Sequence, residues 1–187
     1  MRLGEEDAVL VVGGVGLAAA GARAAAAIAR HRPRRVVLAG IAGSFDLARA
    51  PLGAVIRGLS AAVDGIGAGE GPGHVPLEAM GFEPLPGLGR HPFCSPGAAP
   101  GARRGPILSV TAASDAGLAA ARRRRHPTAL AEDMESWAVA LAAREAGLPL
   151  LVLRAISNAV GDRDVAGWRV GEALARLRGL LRELPSP

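Results

Sequence analysis

Apolar positions along this chain come in two textures. Short uninterrupted runs, rich in Val, Leu and Ile, alternate with longer Ala-rich stretches whose polar residues recur at helical spacing. Residues 8–13 form the first run, closed by glycines, and residues 17–30 the first helical stretch. Further strands are predicted over 35–40, ending in Gly40-Ile41-Ala42-Gly43, and over 53–60, reaching towards Val63. From 65 to 106 Gly and Pro are dense, which predicts loop with a short helix at 77–82. Regular structure resumes with a strand at 106–112 and a helix that Ser114 or Asp115 caps, running to about Arg125. A strand over 128–134, a helix over 135–146 stopped by Gly147 and Pro149, and a strand over 150–157 follow. The last helix spans 165–184, before a Pro-Ser-Pro tail. Strands that are apolar on both faces, alternating with helices, imply an α/β domain whose sheet is covered on both sides. No linker or repeat divides residues 1–187, so one domain is expected.

Composition adds limits. With 187 residues, half of them apolar, the chain can bury a sizeable core. A single cysteine, Cys94, rules out an internal disulfide and a cysteine metal cage, and fits a reducing cytoplasm. The N-terminus carries acids where a secretory leader has basic residues, and the Ala-rich stretch at 17–29 holds Arg23 and is too short to span a bilayer. No membrane role is expected. The net charge of +5 invites a nucleic-acid partner, yet all 22 basic residues are arginine and only three Phe, two Trp and no Tyr are present to stack on bases. The run Arg122 to Arg125 is expected to be a solvated face near a helix C-terminus, where cations complement the dipole.

Two glycine turns are candidates for chemistry. Gly14-Val15-Gly16-Leu17-Ala18-Ala19 fits a dinucleotide fingerprint between strand and helix, which keeps an NAD(P)-dependent oxidoreductase in view. The next strand ends without the acid that would hold an adenosine ribose, so glycines easing a tight turn are the simpler account. The second turn, Gly40-Ile41-Ala42-Gly43-Ser44, offers backbone N–H groups that can cradle a phosphate or a nucleophilic water.

The stretch from 132 to 168 is the most informative. Glu132, Asp133 and Glu135 put three acids within four residues at a strand–helix junction. Carboxylates there commonly cap the helix, but a carboxylate is also an all-acceptor group suited to two vicinal hydroxyls. Ser157-Asn158 ends the following apolar strand. Asparagine at a strand end is often a turn former, and it also presents one C=O beside one NH₂.

Taken together, Asp133-Met134-Glu135, Arg154-Ala155-Ile156-Ser157-Asn158, Gly161-Asp162-Arg163-Asp164 and Trp168 resemble the purine nucleoside phosphorylases and nucleoside hydrolases, and within them the futalosine hydrolases. The resemblance implies a three-layer α/β/α fold and cleavage of an N-glycosidic bond, here that of futalosine, giving hypoxanthine and dehypoxanthine futalosine in menaquinone biosynthesis. It implies that Glu135 holds the ribose 2′- and 3′-hydroxyls and Met134 packs against the sugar, with Asp133, Ser157 and Gly43 also binding substrate. Asn158 would serve an N7-protonated 6-oxopurine leaving group, donating to O6 where the aspartate of adenosine-type relatives only accepts. Trp168 would wall the benzoate-bearing 5′ group and Arg163 pair its carboxylate, unless Arg163 is spent on Asp162 or Asp164.

No metal or organic cofactor is implied, the partner is a small-molecule purine nucleoside, and a homo-oligomer is expected. The family's first strand, which brings an acid to the attacking water, has no counterpart here; Glu5, Glu6 and Asp7 sit on the leading edge with nothing to place them in the pocket. The alternatives are a phosphorylase, a catalytically impaired nucleoside-binding remnant, and the oxidoreductase.

Overall fold

The computed structural model describes residues 2–3, 6–83 and 99–184. Cys94, Glu5, the centre of the Gly/Pro-rich stretch and the Pro-Ser-Pro tail lie outside the described residues. The described chain opens with a short antiparallel pair, β1 (Arg2–Leu3) and β2 (Glu6–Asp7), followed by α1 (Leu17–His31) and β3 (Val36–Ser44). Next come β4 (Val55–Asp64), the small pair β5 (Gly67–Ala68) and β6 (Val75–Pro76), and β7 (Arg103–Val110). The second half holds α2 (Ala116–Arg125), β8 (Ala131–Asp133), α3 (Ser136–Glu145), β9 (Leu150–Ala159) and α4 (Val170–Arg182).

Helices lie on both sides of the strands, as the apolar runs require. Leu150 and Val152 of β9 point to α1 and α3, where they meet Ala20, Trp137, Val139 and Ala143. Their neighbours Leu151, Leu153 and Ala155 point the other way, to Ala173, Leu177 and Leu184 at α4. Every second residue of one strand thus serves a different helical layer. α1 and α3 meet closely because Gly21 faces Ala138; a Cβ at Gly21 would sit 3.4 Å from that methyl.

Between the layers the sheet is mixed and closes on itself in the order β3-β8-β7-β4-β9. β9 runs parallel to β3 and antiparallel to β4, and short β8 completes the ring by pairing Gly43 with Glu132 and Ser44 with Ala131. Closure brings the C-terminal ends of β3 and β9 together beside β8, which runs antiparallel to β3, and the functional side chains collect there.

Several elements differ from the sequence reading. Residues 8–13 form no strand: among the described residues no sheet ladder includes them, and Val9, Leu10 and Val12 are exposed. Strand propensity alone does not make a strand without a neighbouring edge to pair with; the Val12 carbonyl accepts instead from Arg23 Nε at 3.1 Å. Gly40 to Gly43 is not a turn but part of β3, paired residue for residue with β9, with a bulge between Ala42 and Gly43. β9 likewise runs past Ser157 and Asn158 to Ala159. The strand expected at 128–134 shrinks to three residues, because the chain turns at Pro127 and the Ala129 N–H bonds the His126 carbonyl. The last helix breaks into a 3₁₀ turn (Val165–Gly167) and α4, with Trp168 extended between them.

The basic run is not a solvated face. Arg122 is buried and its Nε donates to Asp64 at 3.0 Å; Arg125 Nε and His126 Nε2 reach the same carboxylate at 2.9 and 3.1 Å. Burial alone would push the Asp64 carboxyl up, but hydrogen bonds from His126, Arg125 and Arg122 outweigh it and hold the group well below the usual carboxylate range. Arg123 lies over the Phe45 ring and donates to the Phe45 carbonyl. Among the described residues no helix is long and apolar enough to cross a membrane.

Candidate active site

A cleft of about 1160 Å³ opens at the C-terminal ends of β3 and β9, beside β8, and extends along α1 and residues 7–15. All eight residues singled out from the sequence line it: Gly43, Asp133, Met134, Glu135, Ser157, Asn158, Arg163 and Trp168. Asp7, which nothing in the sequence tied to a pocket, lines it too.

The acid cluster divides its labour. Asp133, whose side chain has no solvent exposure, is saturated: Ser109 Oγ donates at 2.6 Å, the Ser136 N–H at 3.2 Å, and Arg154 Nε lies 2.7 Å away. Ser136 Oγ donates to it as well. Asp133 thus caps α3, and the substrate contact expected of it is not available to its side chain; a carboxylate in this geometry has no acceptor left facing the cleft. Glu135 is the one turned outward. Its Oε2 accepts from Arg154 Nη2 at 3.1 Å and its Oε1 from the Gly16 N–H at 3.0 Å, leaving each oxygen with a further lone pair. Glu132 accepts both the N–H (2.9 Å) and the hydroxyl (2.5 Å) of Ser114.

Arg154, visible in the sequence only as the first residue of a motif, organises the acids of the site. It stands in the middle of an apolar strand with its side chain 4% exposed, and its charge is met by Asp133 and Glu135. A buried arginine in such a strand has to be paired, and that was the available signal. The two glycines of β3 make the arrangement possible. Gly40 is the register partner of Arg154, and a Cβ there would meet Nη1 at 2.1 Å. Gly43 is the partner of Asn158; a Cβ there would sit 3.4 Å from Nδ2 and 3.0 Å from Val160 Cγ2. The glycines therefore clear space for polar side chains of the neighbouring strand, where a glycine turn open to a phosphate or a nucleophilic water was one reading.

Asn158 is oriented by its neighbours: Ser157 Oγ donates to Oδ1 at 2.8 Å and Nδ2 donates to the Ala159 carbonyl at 2.9 Å. At the mouth, the Arg163 guanidinium lies 5.5 Å from the centroid of the Trp168 ring. Among the described residues Arg163 makes no ion pair; Asp162 and Asp164 accept backbone N–H groups instead. The Trp168 Nε1–H is buried with no acceptor among the described residues. The Gly14-Val15-Gly16 turn spends on Glu135 the amide that a dinucleotide phosphate would need, which weakens the oxidoreductase reading.

Residues 1–184 match the family model described as the phosphorylase superfamily. The chain belongs to that superfamily. It is 43% identical over 151 residues to the futalosine hydrolase of Streptomyces coelicolor, covering 80% of this chain and 64% of the relative. To the futalosine hydrolase of Acidothermus cellulolyticus it is 38% identical over 181 residues, covering 90% and 71%. The chain thus spans a little under two thirds of the Streptomyces relative's length. Among solved structures, the 5′-methylthioadenosine/S-adenosylhomocysteine nucleosidase from Neisseria meningitidis, in complex with methylthio-immucillin-A, superposes with a TM-score of 0.77. That match covers 92% of this chain and 78% of the nucleosidase at 20% identity, and so speaks for the fold.

Proposed function

We propose that this protein hydrolyses the N-glycosidic bond of futalosine, releasing hypoxanthine and dehypoxanthine futalosine in menaquinone biosynthesis. One observation carries the reading: Asn158, an amide with donor and acceptor groups, is fixed in the same cleft as Glu135, a carboxylate that Arg154 braces with lone pairs left over. The two curated relatives named above support the choice of substrate.

Glycosidic cleavage builds positive charge on the sugar and negative charge on the purine. Glu135, braced by Arg154, would bind the ribose hydroxyls and stabilise the cationic ring. Asn158 would accept from protonated N7 through its carbonyl and donate to O6 through its NH₂. A 6-aminopurine offers two donors to that pair and leaves the NH₂ facing a donor, a mismatch that a buried site penalises strongly. Met134 and Ser157 would close around the sugar, with Gly43 leaving room for Asn158. Trp168 and Arg163 would take the benzoate-bearing 5′ group; an indole N–H and a guanidinium that meet no acceptor among the described residues suit a carboxylate. Water is the nucleophile, and the enzyme works as a single-domain cytoplasmic homo-oligomer; one cysteine in 187 residues accords with that compartment.

Incubating the protein with futalosine and with inosine, each with and without phosphate, tests the proposal through hypoxanthine release. Phosphate-independent release from futalosine supports a hydrolase. Release only with phosphate, and from inosine equally, sinks it in favour of a phosphorylase.

A further inference from the structure

The buried ion cluster under α2 has no part in the mechanism above, yet it is wired to the cleft. Arg122 spreads its planar guanidinium between two structures. Nε grips Asp64 at the end of β4 at 3.0 Å, while Nη1 donates to the Ala112 carbonyl at 2.8 Å and to Ser114 Oγ at 2.7 Å. Ser114 in turn gives its N–H and hydroxyl to Glu132, which also lies 3.6 Å from Arg122 Nη1. Arg122, Asp64, Ser114 and Glu132 are all buried. The segment they fix is a wall of the cleft: Ala113 and Ser114 line it beside Asn158, Val160 and Gly161, and a bridge between Asp115 and Gly161 joins the two sides.

Resting on the purine-nucleoside reading, we propose that Arg122 is a positioning residue for the leaving-group pocket, holding residues 112–114 at the distance from Asn158 that a purine base requires. Lysine cannot replace it, because one ammonium cannot serve Asp64, a carbonyl and a hydroxyl in three fixed directions. The Arg122 to Arg125 run then has a division of labour: Arg125 secures Asp64 along with His126, Arg122 transmits that anchorage to the cleft, and Arg124 is exposed.

The test uses three variants of the full chain: Arg122→Lys, Ser114→Ala and, as a control in the same run, Arg124→Lys. Hypoxanthine affinity by calorimetry, KM and kcat for futalosine, and amide hydrogen exchange are measured for each. The expected result is a loss of hypoxanthine affinity and a rise in KM of roughly tenfold or more in the first two, with kcat changed less. Exchange should quicken at residues 112–115 ahead of the rest of the chain, and Arg124→Lys should behave as wild type. Ser114→Ala removes only one oxygen, so it reports even if Arg122→Lys fails to fold. Unchanged affinity and exchange in Ser114→Ala would overturn the proposal. So would exchange that quickens uniformly over β4 and α2, with activity falling only with the folded fraction. If wild-type protein leaves futalosine intact, the hydrolase reading fails, while hypoxanthine affinity and exchange still decide the role of Arg122.

Discussion

Replacing Gly40 with alanine sets intrinsic propensity against the site. In a strand interior, alanine is favoured over glycine by roughly 0.5–1 kcal/mol, so a Gly40→Ala variant judged on backbone alone should be slightly more stable. The geometry predicts the opposite. The new Cβ would lie 2.1 Å from Arg154 Nη1 and 3.3 Å from Cζ, whereas unstrained contacts sit near roughly 3.5 Å. A long side chain normally swings away from such a clash at little cost. Arg154 is not free to do so, because Asp133 holds Nε at 2.7 Å and Glu135 holds Nη2 at 3.1 Å. A retreat of more than about 1 Å gives up at least one of these charged bonds, each worth roughly 1.5–3 kcal/mol, and leaves a carboxylate short of its partner. The net expectation is a loss of about 2–4 kcal/mol, or roughly 5–15 °C in melting temperature for a chain of this size. Urea and thermal unfolding measure it, with Gly179→Ala on α4 as control. A Cβ there meets nothing within 4 Å, and helix propensity alone should add about 0.5–1 kcal/mol. A Gly40→Ala protein as stable as wild type, with hypoxanthine release intact, would refute the claim that β3 uses glycine to admit Arg154.

Three further outcomes are expected. Asn158→Asp should cost futalosine cleavage roughly 10- to 100-fold in kcat/KM, since the group facing O6 would lose its donor and meet the Ala159 carbonyl with an acceptor; 6-aminopurine nucleosides should gain in relative rate, read by competing the two substrates. Arg163→Ala should raise KM for futalosine and leave inosine nearly untouched, because only the former carries a carboxylate for it to meet. Asp64→Asn should alter acid stability. The carboxyl's folded pKa lies below its unfolded value near about 3.9, so its contribution is complete above roughly pH 4 and drains away as pH falls further. Asp64→Asn should therefore be less stable at neutral pH and show a flatter loss of stability between about pH 4 and 2, measured by denaturant unfolding at stepped pH.

Much of the fold was legible because the apolar runs are long and their stops explicit: Gly147 and Pro149 end α3, and Leu151 and Leu153 repeat with period two. The constellation around 132–168 was legible because its polar residues interrupt otherwise apolar elements. What was not legible depends on partners far apart in the chain. Residues 8–13 carry strand composition, but a strand exists only where another edge pairs with it. Glycines at 40 and 43 read locally as a turn; only the register with Arg154 and Asn158, more than a hundred residues on, reveals them as clearance. The arginine run looked like solvated charge because Asp64, its buried acceptor, lies some sixty residues earlier. The saturation of Asp133 was not legible, because it takes Ser109 and Arg154 from distant strands to fill its oxygens and leave Glu135 as the acid facing the cleft.

The most direct test is the ratio of kcat/KM for futalosine over inosine in phosphate-free buffer, followed by hypoxanthine release. The present account predicts turnover without phosphate and a ratio well above one, falling towards one when Trp168 and Arg163 are both replaced by alanine. Turnover that requires phosphate, or a ratio near one in the unaltered protein, would contradict it.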